Sequence, residues 1–237
     1  MKVFLLPLAA IIALSAQAQA ETYHRFWRGN KSAGLSWTGF SSALNTVFLP
    51  ATVKTGAGNG MIAYQPALLE GFQGLPHEIA LVSYADKTAY DALYATEQGK
   101  AYQKLHWDYF DPISSRSLVP RPFAGEIRIE EAYDFNPGYS DWMKNSTTVL
   151  VFHRRPGERE PVFIERAKER LNRAFKEDSR AAILDRVVLA ARDYWIEYVS
   201  APGPLENTAG ADLAITMRSA GLKTARLTSL GGLNFRF

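Results

Sequence analysis

The octapeptide His77-Glu78-Ile79-Ala80-Leu81-Val82-Ser83-Tyr84, followed directly by Ala85-Asp86-Lys87-Thr88-Ala89-Tyr90, carries the reading of the whole fold. Its first half is a short apolar run with β-branched and aromatic residues, the composition of a strand. Asp86 then offers a helix cap, and Ala89, Tyr90, Leu93 and Tyr94 recur at the spacing of one helical face. Residues 61–69 form a second apolar, partly alternating run. The turn-rich stretch Glu70-Gly71-Phe72-Gln73-Gly74-Leu75-Pro76 joins the two runs, which predicts neighbouring strands.

Working outward, residues 23–29 mix aromatic and charged side chains and predict another strand. Phe40, Ala43, Leu44, Val47 and Phe48 lie on one face of a helix that Ser36 or Thr38 can cap, and Pro50 predicts its end or a kink at Leu49. The glycine-rich run 56–60 precedes a strand and not a helix, so it reads as a turn and not a phosphate loop. The helical pattern from Asp86 is interrupted at Gly99, resumes with Tyr102, Leu105, His106 and Tyr109 on one face, and stops at Asp111-Pro112. Pro120 and Pro122 make 115–123 an edge strand. Residues 126–146 are irregular and acidic and read as a linker. Beyond them come a strand at 147–153, an amphipathic helix at 160–176, a strand at 187–199, a short helix at 212–218 and a last strand at 233–237.

Residues 1–20 read as an export signal: Lys2, an apolar run from Val3 to Ala16, and Ala18-Gln19-Ala20 as the small-x-small cleavage pattern. This predicts a periplasmic or secreted protein with no membrane span after cleavage. The chain has no cysteine, so its stability must come from packing. A net charge of +3 over 237 residues argues against nucleic acid as a partner. With 47% hydrophobic and 12% aromatic residues, the chain is an ordered globular protein.

The order of elements predicts an α+β fold of two ferredoxin-like βαββαβ units, residues 21–125 and 147–237. It resembles the dimeric α+β barrel superfamily, in which such units pair sheet to sheet, here fused into one chain as a pseudo-dimer. The passage 78–90 is similar to the strand-then-helix passage of EthD-like and NIPSNAP-like members. The resemblance spans residues 22–123 and, less fully, 147–237. It implies a fold and not an activity.

Three functions stay open on the residues alone. The first is binding of a small apolar or aromatic ligand in an aromatic-lined cavity, with Arg25, Trp27, Tyr102, Tyr109, His153, Tyr194 and Tyr198 as candidate walls, the strands at 23–29 and 194–198 bordering one cavity. The second is an enzyme of the same fold, a cofactor-independent oxygenase or isomerase or a haem protein. In it His106 or His153 acts as base or iron ligand, with Asp108 and Asp111 as neighbours of His106. The third is an envelope assembly partner. None of the four histidines stands at metal-ligand spacing from another, and no nucleophile motif is present, so the sequence assigns no metal, cofactor or oligomeric state.

Overall fold

A computed structural model of the chain describes residues 22–71, 74–135, 142, 145–177, 184–203, 205, 208, 211–217 and 228–229. The stretch at 1–20 expected to be an export signal and the strand expected at 233–237 lie outside the described residues. The first unit runs β1 (Tyr23–Gly29), α1 (Trp37–Ala43), a π-helical turn (Leu44–Phe48), α2 (Leu49–Gly56), β2 (Met61–Leu68), β3 (Glu78–Tyr84), α3 (Lys87–Ala95), α4 (Glu97–Tyr109) and β4 (Arg116–Leu118). The second runs β7 (Ser146–His153), α5 (Glu160–Glu177), β8 (Asp185–Ala190), β9 (Tyr194–Ala201) and β10 (Leu213–Met217), with β5 (Arg121–Pro122) and β6 (Glu131–Asp134) before it and β11 (Thr228–Ser229) after it.

One sheet has the order β11-β2-β3-β1-β4 and the other β10-β7-β9-β8-β6-β5. Numbered within its own unit, each core sheet reads fourth-first-third-second, which is the ferredoxin-like order, with every neighbouring pair antiparallel. Each sheet is extended on the side of its second strand by segments that follow the other unit's last strand: β6 and β5 join the second sheet, and β11 joins β2 in parallel. The fold is α+β, with two ferredoxin-like units in a pseudo-dimeric arrangement.

The sheets meet face to face because strand alternation sends one apolar set inward from each. Phe26, Ala63, Ile79 and Leu81 of the first sheet share a core with Val149, Val151, Val187, Ile196 and Tyr198 of the second. Polar groups stitch this interior: Gln65 Nε2 donates to Thr147 Oγ1 at 2.7 Å, and the Tyr198 hydroxyl donates to the Gln65 carbonyl at 3.1 Å. Helices cover the outer faces, and α5 buries Phe163, Ile164, Ala167 and Leu171 on the second sheet.

Several expectations are corrected. The helix does not end at Leu49. The wider π-helical turn delivers Pro50 into the first turn of α2, where proline is tolerated. The break between α3 and α4 falls at Thr96, whose hydroxyl accepts from the Gly99 N–H at 2.9 Å. Gly99 is required there by close approach: a Cβ would sit 2.1 Å from the Leu93 carbonyl oxygen. The stretch read as a linker carries β6, paired to β8. The stretch read as one strand at 187–199 is the hairpin β8–β9. The segment read as a helix at 212–218 is strand β10, because the open edge of β7 leaves backbone groups that need a partner. No helix occurs among the described residues between β9 and β10.

Candidate functional site

On the outer face of the first sheet, alternation places Arg25 and Trp27 of β1, Tyr64 of β2, and Ala80, Val82 and Tyr84 of β3 side by side. Ala80 and Val82 are short, so the helices above cannot close down on them. The π-helical turn brings Phe48, α3 brings Tyr90 and Tyr94 at i and i+4, and α4 brings Tyr102 and His106 at i and i+4. Together they enclose a cavity of about 250 Å³, and Gln103, Trp107, Ser115, Arg116 and Ser117 complete its lining.

The walls are rings in edge contact. Trp27 meets His106 at 5.2 Å and Phe110 at 5.2 Å between centroids, and His106 meets Phe48 and Tyr102 at 4.8 Å. Burial raises the hydroxyls of Tyr84, Tyr90, Tyr94 and Tyr102 above the usual tyrosine range, so they stay neutral phenols able to donate. On the solvent side, Arg25 Nε donates to Ser117 Oγ at 3.0 Å while its guanidinium lies 5.0 Å from the Tyr90 ring centre. Among the described residues it has no carboxylate partner.

His106 Nδ1 lies 3.1 Å from the Tyr102 carbonyl, which can only accept, so Nδ1 carries the proton and Nε2 the lone pair. Burial pushes the imidazole down to about 4, outweighing that hydrogen bond. Asp108 is exposed on α4. Asp111 caps the following turn, accepting from the Ile113 N–H at 2.8 Å and the Ser114 hydroxyl at 3.0 Å. Neither carboxylate orients His106, because a helix turns residue 108 away from 106 and residue 111 lies past the helix end.

Of the ligand-wall candidates, the cavity unites Arg25, Trp27 and Tyr102. Tyr109 packs near Phe48 without lining it. Tyr194 and Tyr198 are on the inner side of the other sheet, Tyr194 accepting from Arg28 Nη1 at 3.2 Å, so the two aromatic strands do not border one cavity. His153 ends β7 in a separate shallow groove with Arg154, Arg155 and Arg159, while His24 sits near the start of β1 on the inner face.

Sequence reasoning missed Glu78, which is fully buried at the start of β3. It accepts from Trp27 Nε1 at 3.0 Å and from the Tyr64 hydroxyl at 3.1 Å, so it holds two cavity walls in place. Burial pushes its carboxyl up to about 8 against the opposing pull of those two donors. The available signal was one acidic residue in phase with the outer positions of an apolar strand.

No protein-family model and no curated protein matches the chain. Among solved structures, the chain is similar to a "Putative monooxygenase" from Fusobacterium nucleatum, with 12% identity over 86% of this chain and 93% of that one, at a TM-score of 0.40. It is similar to another so named from Lactobacillus acidophilus, with 7% identity over 85% and 98% and a TM-score of 0.39. A "Putative antibiotic biosynthesis monooxygenase" from Bacteriodes thetaiotaomicron matches at 16% identity, 46% of this chain and 95% of that one, with a TM-score of 0.31. Likenesses this distant carry no argument about activity.

Proposed function

We propose that the protein binds a small planar aromatic molecule bearing one acidic group, with the ring inside the cavity beneath α3 and α4 and the acid against Arg25. The observation that supports this reading is an aromatic-walled cavity of about 250 Å³ bordered by an arginine without a carboxylate partner among the described residues. Small-molecule sites are mostly apolar with a few orienting polar groups, and this volume suits one or two rings better than a haem macrocycle. Arginine without a carboxylate is suited to a bidentate contact with an anionic oxygen pair.

His106, neutral across the physiological range, suits accepting a hydrogen bond from a ligand hydroxyl better than removing a proton. Binding therefore ranks above acid–base catalysis at this site. The N-terminal run at 3–16 and Ala18-Gln19-Ala20 support a periplasmic or secreted setting for this binding. Among the described residues no helix is long and apolar enough to cross a membrane.

Calorimetric titration with benzoate- and naphthoate-type acids, each beside its neutral amide, tests the proposal. The acids should bind more tightly than the amides, and Arg25→Met should weaken the acids by roughly 10–100-fold, the range for a charge-assisted hydrogen bond, with the amides unchanged. Equal affinity for acid and amide in the wild type, or no binding of either at millimolar concentration, would overturn it.

A further inference from the structure

A second constellation lies between the two sheets, away from the cavity. His24 of β1, Asp134 of β6 and Asp185 of β8 face one another there, and all three are buried. One imidazole nitrogen and one oxygen from each carboxylate lie within 4.8 Å of one another. We propose that His24, Asp134 and Asp185 form a binding site for a divalent transition-metal ion of the zinc or manganese kind, joining the first sheet to the second.

The argument rests on the imidazole. His24 is 4% exposed, and its Nε2 has no hydrogen-bond partner among the described residues. A polar nitrogen left so deep is destabilising unless something occupies its lone pair. His24 Nδ1 lies 2.8 Å from the Ser83 hydroxyl, its direct cross-strand neighbour. When Nδ1 donates to Ser83, Nε2 presents a lone pair inward, which is the arrangement by which an outer hydrogen bond fixes the tautomer of a metal-binding histidine. Asp185 is held in a similar way, since Trp142 Nε1 donates to its Oδ2 at 2.6 Å. The Trp142 ring stands edge-on to His24 at 5.2 Å.

The donor set fits the ion. One nitrogen and two carboxylate oxygens suit zinc, manganese or ferrous iron, and two carboxylates balance a divalent charge in a dry interior. Donors bonded to one ion at about 2.0–2.2 Å stand roughly 3–4 Å apart, so small side-chain rotations close the site. The three residues come from strands far apart in the chain, so no repeat of ligand spacing marks them in the sequence.

Chelator-treated protein should be titrated with zinc and with manganese by calorimetry and thermal unfolding. One ion should bind per chain, and at about 100 times Kd the Tm should rise by roughly 5–10 °C. His24→Gln should abolish the rise. Ser83→Ala, which keeps the ligands and removes the orienting partner, should weaken binding about 10–100-fold. His153→Gln, an imidazole elsewhere on the chain, should leave the affinity unchanged. Absence of both heat and Tm rise with either ion overturns the proposal. Binding that persists unchanged in both His24→Gln and Ser83→Ala also overturns it and assigns the ion to surface carboxylates.

Discussion

Glu78→Gln should make the protein more stable than wild type at pH 9 by about 5 kcal/mol, while at pH 4 the two should agree within about 1 kcal/mol. The carboxyl of Glu78 titrates near 8 in the folded chain because it is buried, against an ordinary value of 4.5. Between those values the folded state holds a proton that the unfolded state has released. Stability therefore falls as pH rises from about 4.5 to 8, by roughly 1.4 kcal/mol per pH unit. Glutamine has nearly the same shape and no charge to desolvate. Its oxygen can accept from Trp27 and its amide can donate to the Tyr64 oxygen, so the cavity walls keep their support. Urea denaturation of both proteins at pH 4, 7 and 9 measures this directly. A stability difference that does not change with pH would show that Glu78 titrates alike in the folded and unfolded chain.

The second large effect belongs to the other sheet. Glu197 is fully buried on the outer face of β9, ion-paired to Arg170 and to Arg186, and it also accepts from Trp195 Nε1 at 2.9 Å. The two guanidinium groups lie over Phe152 and Phe175 and are 16% and 5% exposed. Glu197→Gln leaves two buried cations facing each other without a counter-charge and should cost about 3–5 kcal/mol. Replacing all three charged residues at once, Arg170→Met, Arg186→Met and Glu197→Leu, should recover most of that loss, because burying ions forfeits hydration that apolar groups never had. A single-variant cost under about 1 kcal/mol would mean that water reaches the triad.

These two carboxylates also mark a difference between the outer faces of the two sheets, among the described residues. On the second sheet, α5 and the Arg170–Glu197–Arg186 cluster occupy the outer face. On the first, Ala80 and Val82 leave space under the helices, and Glu78 sits at its edge with its charge suppressed.

Much of the fold was legible where one period dominated. The strand-then-helix passage at 78–94, the capped helix after Asp86 and the amphipathic α5 were readable because burial of one face leaves a regular pattern. Reading failed where tertiary contacts chose between alternatives. Five residues at 213–217 carry too little pattern to distinguish helix from strand, and the open edge of β7 settled it. Pro50 predicts an end or a kink but cannot say which, because the π-helical turn that carries the helix past it leaves no mark in the sequence. At the site, His106, Trp27, Arg25 and Tyr102 were legible as reactive or aromatic residues on periodic faces. Their convergence was not, since it depends on α4 folding back over β1. Tyr194 and Tyr198 were grouped with Trp27 because alternation within a strand cannot say which face meets the other sheet and which meets a helix.

The proposal of an aromatic acid in the cavity is tested most directly by filling the cavity. Ala80 lies on its floor, fully buried, and Ala80→Leu adds side-chain volume at the cavity floor. Calorimetric titration of this variant and the wild type with the tightest-binding aromatic carboxylate should show at least a tenfold loss of affinity in the variant, with Tm within a few degrees of wild type. Unchanged affinity in a folded Ala80→Leu protein would place the ligand elsewhere and contradict the account.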